Sequence, residues 1–152
     1  MSLRERFSAA MKDALKSRDK PRLSAVRLIN AAVKDRDIEA RGAGREKATE
    51  DEIVALLQKM IKQCHESAAL YEKGGRSELA AKEQAEIAVI SSFLPQQLDE
   101  SEAAAAIKAA IAATGATSIR DMGKVMAALK ERHAGRMDFS KAGPAVKAAL
   151  SG

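Results

Sequence analysis

Apolar residues recur every third or fourth position along almost the whole chain, and this spacing restricts the fold more than any other feature of the sequence. An α-helix places residues three and four apart on one face, whereas a half-buried strand needs strict alternation. No segment shows that alternation. Because Pro occurs only three times and aromatic residues make up 3%, the apolar content consists mostly of aliphatic helix formers. We therefore predict an all-α fold without strands.

The first two predicted helices are separated by a turn at residues 17–20. The first helix carries an apolar residue at every fourth position, namely Leu3, Phe7, Met11 and Leu15. Pro21 fits the first position of the second helix, because the N–H that proline lacks has no partner there. We expect this helix to end near Ala40 and residues 41–48 to form an exposed loop.

Two further helices complete the N-terminal part, which we predict to consist of about four helices in antiparallel hairpins. Thr49 and Glu52 have the spacing of a capping box, so the third helix should begin there and end at Gly74. Ser77 is the predicted cap of the fourth helix. The positions expected to face inward are Ile53, Leu57, Met60, Cys64, Ala68 and Tyr71 in the third helix, then Leu79, Ile87, Ile90 and Leu94 in the fourth.

Pro95 marks the predicted boundary between two domains, 1–94 and 95–152. A proline disfavours helical geometry in the residue before it, so the fourth helix should end there. A small C-terminal domain of three helices should follow. Its predicted helix starts are the capping-box pair Asp99 and Glu102, the caps Ser118 and Asp121, and finally Pro144.

The Gly123-Lys124 pair in the stretch DMGKVM invites a nucleotide-binding interpretation, which the spacing excludes. A Walker A loop needs two glycines with four residues between them, then lysine and a hydroxyl residue. Here the preceding glycine is Gly115, and Val125 follows the lysine. We therefore expect no nucleotide cofactor.

The titratable residues do not form a recognisable catalytic or metal-binding set. Cys64 and His65 are adjacent, so on a helix their side chains point about 100° apart and cannot bind one ion together. We expect Cys64 to be a buried small hydrophobe, His65 to be exposed, and His133 to lie near a helix C-terminus, where positive charge is favoured. The acidic run 50–52 lies in a first helical turn, where negative charge is favourable for structural reasons. We expect no catalytic residue, no metal and no other cofactor.

The net charge of +5 is unevenly distributed. Residues 1–36 contain ten basic and four acidic residues, and residues 120–152 contain seven and three, so the stretch between them is acidic. A local positive excess suits contact with a phosphate backbone, whereas the scarcity of aromatic residues disfavours base stacking. One cysteine, no signal peptide and no long apolar run lead us to expect a cytoplasmic protein that does not contact membranes.

Three stretches make the chain similar to the GatB/YqeY family, and specifically to its stand-alone YqeY-like members. They are RLSAVRLINAAVKDRDIEAR (22–41), KMIKQCHESAALYEKGGRSELAAKEQAEIAVISSFLPQQLDESE (59–102) and TGATSIRDMGKVMAALKERHAGRMD (114–138). The resemblance implies an all-α fold with a larger N-terminal part and a small three-helix C-terminal part. The tail after Asp138 is longer than the usual ending of the stand-alone members, and its Gly143-Pro144 is closer to the amidotransferase tail described next.

The same module is similar to the tail of the B subunit of glutamine-dependent aminoacyl-tRNA amidotransferases. The resemblance implies that this tail contacts the tRNA body and does not perform the chemistry. A family label of carbon–nitrogen ligase activity with glutamine as amido-N-donor would thus be inherited from the larger enzyme. By this resemblance we expect the chain to have no catalysis of its own.

The residues that match the family motif lie in the DMGKVM stretch and the AGR turn. We expect Gly123 to be a packing residue that a neighbouring helix approaches closely, and Lys124 to contact phosphate. The structural motif positions are Pro95, Gly123, Met126 and Gly135. The candidate phosphate contacts are Lys124, Lys130, Arg132 and Arg136, with Arg22 and Arg27 as a second patch.

The hypothesis from sequence is a non-catalytic, tRNA-associated accessory protein. Its expected partners are tRNA and an amidotransferase or another translation-related protein. The alternative is a helical protein–protein adaptor without RNA binding, in which paired helices present a groove to another subunit.

Overall fold

The computed structural model describes residues 1–151, which form seven α-helices and one turn of 3-10 helix, with no strand among them. The predicted all-α fold class, with hairpins followed by a small three-helix part, is confirmed. The helices are α1 (Leu3–Ser17), α2 (Lys20–Gly42), α3 (Glu50–Lys73), α4 (Ser77–Ser91), α5 (Glu100–Thr114), α6 (Met122–His133) and α7 (Phe139–Ser151), and the 3-10 turn covers Ile119–Asp121.

The chain divides into two compact units, Met1–Leu94 and Pro95–Gly152, each with its own hydrophobic core. Gly152, the last residue of the predicted C-terminal domain, lies outside the described residues. No helix within residues 1–151 is both long and apolar enough to cross a membrane.

The predicted capping boxes start α3 and α5. The Thr49 hydroxyl accepts the N–H of Glu52 at 3.2 Å, and the Asp99 carboxylate accepts the N–H of Glu102 at 2.7 Å. In each case the glutamate side chain accepts the backbone N–H of the capping residue in return. These bonds satisfy N–H groups that have no partner inside the helix, so both helix starts are determined by local sequence.

The first unit is built around α3, which packs along α4, while α2 contacts α1, α3 and α4. An aromatic pair joins the two ends of this unit, because the rings of Phe7 and Phe93 meet edge to face with centroids 5.0 Å apart. The Arg6 guanidinium lies 5.4 Å from the centre of the Phe93 ring and donates hydrogen bonds to the carbonyl groups of Ser92 and Phe93. The segment after α4 is thereby attached to α1.

A bidentate ion pair between Arg4 and Asp37 connects α1 to α2. The two nitrogens of the guanidinium lie 2.9 Å and 2.7 Å from the carboxylate oxygens. The same carboxylate accepts the N–H of Ala48 at 2.9 Å, and Arg4 donates to the Ala48 carbonyl at 3.1 Å. The hydrogen bond from Arg4 holds the pKa of Asp37 well below its usual range. This network therefore joins α1, α2 and the segment before α3.

Two inward-facing predictions are wrong. Leu15 is 53% exposed and Ala14 is buried in its place. Spacing by strict fours advances about 40° around the helix per step, so Leu15 lies about 120° from Leu3 but Ala14 only about 20° from it. In α4, Leu79 is 38% exposed, because the face that α4 buries carries Ala80, Glu86 and Ile90.

Several predicted helix ends are also shifted. Pro21 is the second residue of α2 rather than the first, since Asp19 is the cap and accepts the N–H of Arg22 at 3.2 Å. α2 continues to Gly42, two residues beyond the expected end. Neither Ser77 nor Ser118 caps through its side chain, and the residue that precedes α4 is Arg76.

The last helix begins five residues before Pro144, the predicted start. Asp138 starts it, because its carboxylate accepts the N–H of Ser140 at 3.0 Å and its carbonyl accepts the N–H of Ala142 at 3.0 Å. Pro144 lies inside α7, where its missing N–H removes one intrahelical hydrogen bond.

We expect Asp37→Asn to lower the free energy of unfolding by about 2 kcal/mol at pH 7, because it leaves Arg4 without its charged partner. Since folding lowers the pKa of Asp37, its contribution is complete above about pH 4 and is lost as the pH falls through the folded pKa. The difference between wild type and variant should therefore shrink between about pH 4 and pH 2. Urea unfolding at several pH values measures it.

The matched control for this prediction is Asp13→Asn, which removes an exposed carboxylate from α1. It should change stability little. A loss for Asp37→Asn that is equal at pH 2 and pH 7 would contradict the ionic origin of the effect.

Candidate nucleic-acid interface

The core of the second unit determines which side of α6 faces solvent. Val125 and Leu129 are fully buried, and Met126 is half-buried beside them. They pack against residues of α5 and α7 that include Ile107, Ala110, Ala142 and Val146. Met126 thus packs against the core of the second unit, and the opposite side of α6 is exposed.

Three of the candidate phosphate contacts, Lys124, Lys130 and Arg132, are exposed on α6. Lys124 and Lys130 are six residues apart and therefore lie about 120° apart around the helix. Arg132 lies about 80° from Lys124 on the other side, and the exposed Glu131 lies between Lys124 and Lys130, about 20° from Lys124. The three cations are spread around the exposed half of α6 and do not form a single row.

A carboxylate stands close to the first of these cations. Asp121 precedes α6, and its side chain accepts the N–H of Thr117 at 3.0 Å. This hydrogen bond, with a smaller contribution from the charge of Lys124, lowers the pKa of Asp121. Asp121 therefore stabilises the turn before α6 and offsets part of the positive potential near Lys124.

Arg136, the fourth candidate, is half-buried and has a structural role. Its Nε donates to the carbonyl of Gln96 at 2.9 Å, and its own carbonyl accepts the N–H of Leu98 at 2.9 Å. The side chain of Gln97 donates from Nε2 to the carbonyl of Gly135 at 2.5 Å and to that of Pro95 at 3.0 Å. Residues 95–98 therefore lie along the turn after α6, in an arrangement that we call the 95–136 clamp.

The clamp brings the segment after Pro95 to the motif turn that contains Gly135 and Arg136. Sequence reasoning assigned Pro95 to a boundary and Arg136 to phosphate binding. It could not detect the contact between the two segments, since the hydrogen bonds join residues about 40 positions apart and involve mostly backbone carbonyls. At least one nitrogen of the Arg136 guanidinium is engaged inside the second unit.

The packing role expected for Gly123 is wrong. This residue is exposed, and apart from its chain neighbours and the adjacent backbone of α6, no heavy atom of residues 1–151 lies within 4 Å of a Cβ placed on it. Gly135 is different, because its φ of +75° lies in the left-handed region that residues with a side chain rarely adopt. Of the two motif glycines, the turn residue is the one whose backbone requires glycine.

The second predicted patch belongs to the first unit. Arg22 is half-buried near the start of α2, whereas Arg27 is exposed. Arg27 lines a shallow groove together with Lys20, Leu23, Ser24 and Leu28. Arg27 is therefore available to a partner, and the residues around it are partly apolar.

Cys64 contacts acidic residues of α4, a partnership that sequence reasoning missed. Its Sγ lies 3.9 Å from a carboxylate oxygen of Glu86, and the potential ligand atoms of Cys64, Glu83 and Glu86 lie within 4.8 Å of one another. Burial, together with these carboxylates, raises the pKa of the thiol to about 12. A neutral thiol is a poor nucleophile and a poor metal ligand, so we assign Cys64 as a hydrogen-bond donor. His65 is exposed, as expected.

The structure defines an all-helical protein of two small units with a proline at their boundary, in which residues 96–98 hydrogen-bond to the turn after α6. Residues 4–150 match the family described as Yqey-like protein, and the chain belongs to this family. The match includes residues 139–150, which form most of the tail after Asp138. The predicted relationship to stand-alone YqeY-like proteins is confirmed.

One relative is "Altered inheritance of mitochondria protein 41, mitochondrial" from Pyrenophora tritici-repentis (strain Pt-1C-BFP). The two sequences are 30% identical over 132 residues, which cover 84% of this chain and 71% of the relative. The name of that relative places it in mitochondria, so the cytoplasmic location expected for the present chain stays a prediction.

Substituting the two motif glycines should have opposite effects on stability. Gly123→Ala should leave the free energy of unfolding unchanged or raise it by up to about 1 kcal/mol, because alanine is the better helix former and has room. Gly135→Ala should lower it by about 1 to 2 kcal/mol, because alanine is strained at this φ. Chemical denaturation of both variants measures the pair, and a loss for Gly123→Ala would restore the packing interpretation.

Proposed function

We propose that this protein is a non-catalytic, tRNA-associated accessory factor related to the tRNA-binding module of glutamine-dependent tRNA amidotransferases. The observation that carries the proposal is the set of exposed cations on α6. None of Lys124, Lys130 and Arg132 forms an ion pair within residues 1–151, so their charge is available to a polyanion.

The chemistry of the surface favours contact with the phosphate backbone over recognition of bases. Stacking on unpaired bases requires exposed aromatic rings. Phe7 and Phe93 are buried, while Tyr71 and Phe139 are half-buried. The cations lie on two sides of the exposed half of α6. They can therefore contact phosphates that flank the helix on both sides more readily than phosphates in a single row.

The proposal assigns no catalytic activity to any group of side chains within residues 1–151. The most concentrated set of titratable groups contains Cys64, whose thiol is neutral at physiological pH. A carbon–nitrogen ligase label would therefore describe the larger enzyme. We propose that the protein acts in the cytoplasm with tRNA and an amidotransferase or another translation-related protein.

Titration of labelled tRNA by fluorescence anisotropy at 50 and 200 mM salt tests this function. Three phosphate contacts predict that affinity falls by about ten- to fortyfold between the two salt concentrations. Double-stranded DNA of similar length should bind more weakly. The triple charge reversal Lys124→Glu, Lys130→Glu and Arg132→Glu should lower tRNA affinity by about tenfold or more at 50 mM salt.

The matched control reverses three exposed lysines on α5 and α7 of the same unit, Lys108, Lys141 and Lys147. It changes the net charge by the same amount and should retain most of the binding. Equal losses in both variants would mean that α6 is not the contact surface. An absence of binding at 50 mM salt would favour the adaptor hypothesis. Arg136 is left unchanged in both variants, because its substitution would also disrupt the 95–136 clamp.

A further inference from the structure

α2 carries a row of four exposed cations at intervals of seven residues. They are Lys20, Arg27, Lys34 and Arg41. Seven residues are nearly two helical turns, so the row runs along one side of α2 with about 10 Å between successive residues. The row drifts around the axis by only about 20° per interval.

An apolar band lies beside the cationic row on the same exposed face. Leu28 is 46% exposed, Ile38 is 53% exposed, and Ala31 is exposed between them. In heptad notation Leu28 occupies an a position, Ala31 and Ile38 occupy d positions, and the cations occupy g positions. This face is separate from the core, which α2 enters through Ala25, Val26, Ile29, Val33 and Ala40.

We propose that this face of α2 docks an acidic amphipathic helix of another protein. When two helices pack with a heptad repeat, a and d side chains fill the seam and charges at the flanking positions pair across it. A partner helix with apolar residues at a and d and with glutamate or aspartate every seven residues would match both the band and the row. Charge complementarity thus defines the occupant.

The acidic residues of α2 compensate little of the row. The charge of Arg41 acts on Asp37 as a contribution smaller than that of Arg4, and no cation of the row forms an ion pair within residues 1–151. Asp37 is held by Arg4, and Glu39 pairs with Arg36 at 2.8 Å. Asp35 is the exposed acid of α2 that forms no ion pair within residues 1–151, and it occupies an a position in the apolar band. A partner helix with lysine or arginine opposite Asp35 would form an ion pair with it in one register only. Polar residues at a positions specify the register of paired helices in this way.

A protein helix accounts for this face better than RNA or a second copy of the chain. Leu28, Ile38 and Asp35 add nothing to phosphate binding. In a helix pair, Leu28 and Ile38 would pack in the apolar seam and Asp35 would determine the register. If two copies met antiparallel through this face, their g-position cations would oppose one another. In a parallel pair the cations would face the e positions Ala25, Ala32 and Glu39, of which only Glu39 is acidic and it already pairs with Arg36, so neither orientation matches the row.

Binding of two designed peptides to the full chain tests the proposal. Both peptides contain four heptads with leucine at a and d, one with glutamate at e and g and the other with lysine there. We expect the acidic peptide to bind and the basic peptide not to bind in isothermal titration calorimetry. Arg27→Glu, Lys34→Glu and Arg41→Glu together should weaken acidic-peptide binding by about tenfold or more.

The control for charge reverses three exposed lysines elsewhere in the first unit, Lys12, Lys59 and Lys62, and should retain binding. For the apolar band, the double substitution Leu28→Ser and Ile38→Ser should abolish binding without lowering the melting temperature, because both residues are exposed. Leu70→Ser, at a leucine that is 69% exposed on α3, is the matched control and should bind as wild type does.

Four results would overturn the proposal. Equal binding of the acidic and basic peptides, or equal losses in the α2 and control charge reversals, would exclude recognition by this face. A loss of tRNA binding in the α2 variant without acidic-peptide binding by wild type would make the face an RNA contact. Self-association in sedimentation velocity that Leu28→Ser and Ile38→Ser abolish would make it a contact between copies.

The peptide result is independent of the tRNA-binding proposal. The α6 triple variant should bind the acidic peptide as wild type does, because its substitutions lie in the second unit. Failure of either experiment can therefore be assigned to its own surface.

Discussion

Each helix of this protein has a narrow apolar stripe, and the need to bury that stripe against neighbouring helices is the constraint on which the structure depends. The side chains that do so are mostly aliphatic, with the Phe7–Phe93 pair as the aromatic contribution to the first core. Because small side chains let helices pack closely, both units acquire a core despite their size. α2 departs from this pattern, since it buries one stripe and also exposes Leu28 and Ile38 on another face.

Beyond the ends of the apolar stripes, polar contacts hold the segments that connect the helices. The pair Arg4–Asp37 organises the segment before α3, and the 95–136 clamp organises the segment before α5. Both use an arginine to satisfy backbone carbonyls outside helices, which have no intrahelical partner. These contacts determine where the loops run, and in the second unit they hold the turn that follows the cations of α6.

The two charged surfaces differ in what surrounds their cations. On α6, Lys124, Lys130 and Arg132 lie around a half-cylinder, and α6 itself has no large exposed apolar side chain, although Ile119 in the turn before it is 44% exposed. On α2, cations at heptad spacing follow an apolar band. The first arrangement suits a polyanion that is contacted from two sides, and the second suits a helix of complementary pattern. Similar net charge can therefore serve different partners, because the neighbouring side chains decide the class of ligand.

The sequence by itself determined the all-α class, the capping boxes at Thr49 and Asp99, and the exposure of the α6 cations. These depend on periodicity and on hydrogen bonds within four residues, so a short window of sequence contains the necessary information. The tertiary structure alone decided that Cys64 faces Glu86, that Gly123 has open space, and that Arg136 binds the carbonyl of Gln96. Each depends on how a helix is rotated against its neighbours or on contacts between distant segments, and helical periodicity defines a face only to within several tens of degrees.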